Sequence, residues 1–158
     1  MTFNDIDEIK SLGFTGFKKM GDLFQDSSVL PDSGGVYLVL NIENTPIEFL
    51  TVGTGGHFKG KNPNIPILEL KANWVENTKV VYIGKATSLK SRLKQYLSFG
   101  KGKNIGHYGG RLIWQLKYSN DLVVCWKVMK TNPREFEAEL IRQFKSNFNC
   151  RPFANLKD

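Results

Sequence analysis

Cysteine is scarce in this 158-residue chain, with Cys125 and Cys150 the whole supply. Two thiols cannot staple a secreted mini-scaffold, and together with His57 and His107 they argue against a structural zinc site. Cys125 lies in the apolar run 122–128, where a buried reduced thiol is expected. No apolar run approaches the ~18 residues that a membrane span requires. The opening MTFNDIDEIK is acidic and polar, unlike a secretory or transit leader. These absences predict a cytoplasmic protein with no membrane partner.

A third absence says more. Residues 79–118 hold nine Lys or Arg and no acid at all. The formal charge of +7 is correspondingly uneven: residues 1–48 carry eight acids and three bases, residues 49–158 seven acids and nineteen bases. Surfaces normally mix signs. A one-sign stretch attracts polyanions at long range and releases counterions on contact, so nucleic acid is the expected partner. A solvated basic face without a ligand is the bland alternative. With 41% hydrophobic and 23% charged residues, the chain has the composition of one ordinary folded domain spanning 1–158.

Along the chain, residues 3–30 read as one or two short helices broken at Gly13, Gly16 and Gly21, an N-terminal helical extension over 1–33. Pro31–Gly34 is a turn and Val36–Ile42 a buried strand, with Ile47–Val52 a possible hairpin partner. Residues 53–66 form a loop, followed by a short helix near Leu68–Val75. Val80–Ile83 is a strand, and Thr87–Phe99 a helix that ends at Gly100 in a left-handed cap. The glycines at 100, 102, 106, 109 and 110 predict a mobile loop over 100–110. Arg111–Leu116 is a helical turn or a strand, and Leu122–Met129 a strand. Pro133 starts a helix running to about Phe148. The sum is an α/β (α+β) sandwich with a small central sheet of three or four strands flanked by helices.

The last helix carries the sharpest clue. Glu137 lies three, four, seven and eleven residues before Leu140, Ile141, Phe144 and Phe148, on their side of the helix. Glu135 and Glu139 point the other way. A carboxylate on an apolar stripe is costly unless a cation or metal meets it; the alternative is a first-turn glutamate favoured by the helix dipole. In the earlier helix Leu89, Leu93, Tyr96 and Leu97 form a core stripe. Arg92 sits at its edge, either aiming its planar fork at a phosphate or covering apolar surface. Lys85 stands at a strand-to-helix junction, where amides at the helix start from Thr87 would add to anion binding. Tyr37 and Tyr82 taken singly are packing residues. Beside Lys85 and Arg92 a phenolate becomes cheaper, which moves tyrosine toward use as a general base. His107, in the glycine-rich loop, is a bystander or a proton acceptor able to touch phosphate. Lys90, Lys94, Lys101, Lys103 and Arg111, with Lys85 and Arg92, form the candidate nucleic-acid surface. Gly55–Lys61 has the spacing of a phosphate loop, but Asn62 replaces the Ser/Thr and Pro63 interrupts the helix that should follow.

With these residues assembled, the chain resembles the GIY-YIG nuclease family. Gly35-Val36-Tyr37 stands for the first tripeptide and Tyr82-Ile83-Gly84 for the second. The segment Tyr82–Ala86 with Leu89, Arg92 and Tyr96 is similar to the same stretch of the family's bacterial excision-repair incision subunit. The resemblance implies a three-stranded antiparallel sheet at the centre and one Mg²⁺ or Mn²⁺ held by Glu137. It further implies water activation by Tyr82 with help from Tyr37 and Lys85, and a phosphate clamp at Arg92. It puts a supporting asparagine at Asn155, preferred to Asn149 because Pro152 precedes it. The 45 positions between the tyrosines make residues 43–78 an insertion. The expected activity is metal-dependent cleavage of duplex or branched DNA, by a monomer or a homodimer. The rival readings are a non-catalytic nucleic-acid-binding module and a protein-interaction domain.

Overall fold

A computed structural model describes residues 1–43 and 46–157; two residues of the 43–78 insertion, Asn44 and Thr45, lie outside the described residues. In chain order the elements are α1 (Ile6–Ser11), β1 (Thr15–Lys19), α2 (Met20–Gln25), β2 (Gly35–Leu40), α3 (Ile67–Asn73), β3 (Val80–Ala86), α4 (Leu89–Gly100), β4 (Val123–Val128) and α5 (Pro133–Phe148), with short 3₁₀ segments at 58–60, 108–115 and 119–121. The four strands form one antiparallel sheet in the order β1-β4-β2-β3. This is the expected α+β sandwich.

Every residue of β2 is buried, because helices cover both faces of the sheet. Val36, Leu38 and Leu40 face α5 together with Ile83 and Cys125. Tyr37 and Val39 face α4 and the 3₁₀ segment with Tyr82, Val124 and Trp126. The α5 side is closed by the N-terminal segment, whose Phe3 meets Phe144 edge-on at 5.1 Å. Pro133 opens α5 as expected, and Leu140, Ile141 and Phe144 are its buried residues. Cys125 is buried and reduced, and burial pushes its thiol pKa well up. Among the described residues no helix is long and apolar enough to cross a membrane.

Several expectations need correction. The N-terminal extension is not purely helical, since Thr15–Lys19 is a strand on β4. Its glycine is a contact residue rather than a helix breaker: a Cβ on Gly16 would lie 2.5 Å from the Trp126 indole. Among the described residues Ile47–Val52 does not pair with β2; Phe49 instead forms a bridge with Leu116. The left-handed glycine after α4 is Gly102 (φ +88°), and Gly100 is still helical. Gly100 has no side chain because a Cβ would stand 2.4 Å from the Trp114 ring. Segment 100–110 is also no open loop. It turns back onto the core, with Gly106 against the Phe58 ring and Gly110 buried against Tyr96.

Gly100→Ala is therefore expected to cost about 1–3 kcal/mol in urea unfolding, the range for overpacking a tight core. Gly109→Ala, with no atom within 4 Å of a built Cβ, is expected to stay within about 0.5 kcal/mol of the parent.

Candidate active site

The β2–β3 register sets the site. Tyr37 stands opposite Gly84 and Val39 opposite Tyr82, so both phenols project from the same face toward α4. A Cβ at residue 84 would lie 2.4 Å from Tyr37 Cζ, so only glycine lets that ring settle over β3. The two rings are 5.9 Å apart, and Tyr82 meets Tyr96 of α4 edge-on at 5.5 Å. Tyr37 is fully buried, whereas Tyr82 keeps 8% exposure at the mouth of a cavity.

That cavity, about 300 Å³, is lined by Tyr37, Tyr82, Lys85, Arg92, Gly109, Glu137, Asn155, Leu156 and Lys157. The phenol, guanidinium and carboxylate singled out from sequence thus share one space. Lys85, three residues beyond Tyr82, projects toward α5, and its ammonium donates to the Glu137 carboxylate at 2.6 Å. The Glu137 side chain is 13% exposed; the cation expected opposite it is, in this structure, a lysine. Arg92 Nη1 donates to the Gly106 carbonyl at 3.1 Å and to Gln95 Oε1 at 3.3 Å, which holds the fork at the edge of the cavity.

Asn155 is in the site and Asn149 is not. Asn149 caps α5 in a left-handed conformation. The Asn155 amide pairs with the Ile83 peptide on both sides, accepting from its N–H at 3.0 Å and donating to its carbonyl at 2.9 Å. With Ala154 N–H donating to Val81 O, the C-terminal segment covers the open edge of β3 beside Tyr82. Asn155 therefore orients the strand, and its amide is already occupied. Leu156 and Lys157 as cavity lining were missed in the sequence, where their only signal is their place next to Asn155.

His107 is displaced furthest from expectation. It is fully buried, behind the cavity lining rather than in an open loop. Its ring stacks on Tyr96 at 3.7 Å, nearly coplanar at 3°, and Nε2 lies 3.0 Å from the Tyr37 hydroxyl. Burial, with Arg92 adding to it, lowers its pKa to about 3, so the ring is neutral.

Burial also corrects the electrostatic expectation for the phenols. Desolvation raises Tyr82, while Arg92 and the hydrogen bond with Tyr37 pull it back and Glu137 adds to the rise; the net direction is upward. Tyr37 is raised further by burial and by Tyr82. The helix-start amides are unavailable to an anion: Leu89 and Lys90 N–H donate to Ser33 and Pro31 carbonyls, and Ser91 N–H to Ser88 Oγ. Of the basic residues, Lys94, Lys101 and Lys103 border a groove beside α4. Lys90 lies on the same helix. Arg111 is instead fastened to the protein, with its guanidinium 4.0 Å from the Tyr108 ring centroid. The stretch 55–61 forms a 3₁₀ turn followed by extended chain, not a phosphate loop on a helix.

Residues 72–149 match the family model of the GIY-YIG catalytic domain. That stretch, just under half of the chain, is similar to a GIY-YIG catalytic domain. The matched span contains Tyr82, Lys85, Arg92, His107 and Glu137, and the structure brings Tyr37 and Asn155 to the same cavity as Tyr82 and Glu137 from outside that span. UvrABC system protein C of Nautilia profundicola is 32% identical over 74 residues, covering 47% of this chain. The match spans 12% of that protein's length. No solved structure gives a significant match. GIY-YIG domains define a family of nucleases.

A neutral buried histidine leaves a signature in stability. The unfolded chain binds a proton near pH 6.5 that folded His107 refuses until about pH 3. Stability then falls as pH drops through that window, by about 1 kcal/mol per pH unit. Urea midpoints at pH 7 and pH 5 should show this slope in the parent and its loss in His107→Phe.

Proposed function

We propose that the chain is a metal-dependent endonuclease that hydrolyses DNA phosphodiester bonds. The observation that carries this reading is the convergence of Tyr82, Lys85, Arg92 and Glu137 on one cavity beside an acid-free basic stretch. Among the described residues no group of three or more His, Cys, Asp or Glu converges, which does not suit a fully protein-ligated ion. One partly exposed carboxylate does suit Mg²⁺, which is bound through one or two carboxylates while keeping water and substrate oxygens. Glu137 would hold Mg²⁺ or Mn²⁺, and the bound ion would supply Lewis-acid stabilisation of the phosphate.

The chain's own residues do the rest. Arg92, already fixed through Nη1, presents its other N–H donors to the scissile phosphate and meets the charge that develops there. The Tyr82 hydroxyl, at the mouth of the cavity, accepts the proton of the attacking water once it is deprotonated. Its environment is poised between burial, which favours the phenol, and Arg92, which favours the phenolate. Lys85 neutralises Glu137 until substrate enters, then adds positive charge beside the anion. Asn155 keeps the edge of β3, and so Tyr82, in place. Lys90, Lys94, Lys101 and Lys103 contact the flanking backbone of the DNA, a sequence-independent and salt-sensitive interaction.

Plasmid incubated with the protein and Mg²⁺ should be nicked or cut, with the rate reduced at least about 100-fold in Arg92→Ala and in Glu137→Ala. Equal cleavage by all three proteins would refute the assignment, and salt-sensitive binding without cleavage would leave a binding module. Because the base acts deprotonated and its pKa is raised, the single-turnover rate should climb about tenfold per pH unit from pH 6.5 to 8.5. A flat profile there would remove Tyr82 from the role.

A further inference from the structure

His107 makes little sense as a packing residue. A ring stacked on Tyr96 in an apolar interior is best supplied by phenylalanine, which has no polar atoms to satisfy. Among the described residues the imidazole Nδ1 makes no hydrogen bond to another residue, and leaving a buried polar atom unpaired is destabilising. The ring's polar contact with another side chain among the described residues is the 3.0 Å contact between Nε2 and the Tyr37 hydroxyl. Costs of this kind collect at functional sites.

The loop that delivers this ring is held from two sides. On the site side, Arg92 Nη1 binds the Gly106 carbonyl and the Tyr96 hydroxyl donates to Gly110 O at 2.5 Å. On the other side lies the insertion: Asn104 Oδ1 accepts from Lys59 N–H at 3.0 Å, and the Tyr108 hydroxyl donates to Asn62 O at 2.9 Å. The Phe58 ring packs against Gly106.

We infer that His107 is a positioning residue for the reaction proposed above, acting through Tyr37 on Tyr82, and that part of the 43–78 insertion serves to seat it. With Nε2 protonated, the imidazole donates to the Tyr37 oxygen. That orientation frees the Tyr37 O–H to donate to a lone pair of the Tyr82 oxygen, which turns the Tyr82 O–H away from Tyr37 and toward the cavity. Without the imidazole, the Tyr37 hydroxyl is free to rotate and Tyr82 loses a fixed donor as its negative charge develops. The other groups facing this relay are Arg92 from α4, Tyr96 beneath the imidazole, and Glu137 with Lys85 across the cavity.

His107→Phe keeps the aromatic stack and deletes the donor; His107→Gln keeps a donor of similar reach. On a defined duplex with Mg²⁺, kcat should fall about 10–100-fold in His107→Phe with KM within about twofold, and return at least in part in His107→Gln. A kcat equal to the parent's in His107→Phe, or a loss confined to KM, would overturn the inference. A second measurement needs no cleavage. In protein labelled with ¹³C at tyrosine Cζ, both the Tyr37 and the Tyr82 resonances should move in His107→Phe and return toward the parent position in His107→Gln. An unmoved Tyr82 resonance would overturn the relay. If the parent protein cuts nothing, the nuclease reading fails by itself, and the resonance of Tyr82 still decides whether His107 acts on it.

Discussion

One contact between neighbouring strands holds this site together: the ring of Tyr37 lies where residue 84 has no side chain. Its consequences run outward. The β2–β3 register that allows it places Tyr82 on the same face as Tyr37. Pleat alternation then aims Lys85 at the opposite face, where α5 presents Glu137. A slip of one residue would send Tyr37 and Val39 toward α5 and dissolve both the cavity and the core. The two tyrosine-glycine tripeptides are therefore two halves of a single steric fit.

The electrostatics balance around the same contact. Burial resists ionisation of the phenols, and the nearby guanidinium favours it by less than burial opposes it; the outcome is tyrosines raised above their ordinary range, not lowered. A resting site of this kind holds charge at the Arg92 fork, at the Lys85–Glu137 pair and at Lys157. The pair is partly exposed on the lysine side, so it is a switchable contact more than a source of stability. In the proposed reaction a polyanion entering the cavity would compete for Lys85 and expose the carboxylate to a cation arriving with it.

The sequence made some of this legible and hid the rest for identifiable reasons. Glu137 could be placed because helical periodicity is strict and one carboxylate fell on an apolar stripe. Arg92 and Tyr96 followed from the same rule. The strand at Thr15–Lys19 was hidden because Gly16 reads as a breaker, while its true partner is an indole 110 residues away. His107 was hidden for a related reason: five glycines in eleven residues signal freedom when read locally. In the fold three of those glycines, Gly100, Gly106 and Gly110, are where the chain must pass close to Trp114, Phe58 and Tyr96. Local composition cannot distinguish a glycine that permits motion from one that permits contact. Asn155 was found by motif, but its partner was not, since nothing in the sequence says that an edge strand needs an amide to cap it.

The insertion between the tyrosine motifs raises the question of what keeps a long excursion, with α3 its one α-helix among the described residues, ordered. Closing such a loop costs little more than closing a shorter one; ordering each of its residues is the larger cost. Much of the compensation is gathered at Gln115, a fully buried amide that accepts from Ile65 N–H and donates to Ile65 O and Leu50 O, each at 3.0 Å. Asn64 Oδ1 adds a bond from Gly53 N–H, and Leu50 and Thr54 N–H donate to the Gln115 and Trp114 carbonyls. These bonds stitch residues 50–65 onto the 3₁₀ segment 108–115, the same segment that follows His107. The insertion and the back of the cavity are consequently one cooperative unit. Loosening the insertion releases the loop that carries the imidazole, so a segment that never reaches the cavity sets the geometry of the phenols inside it.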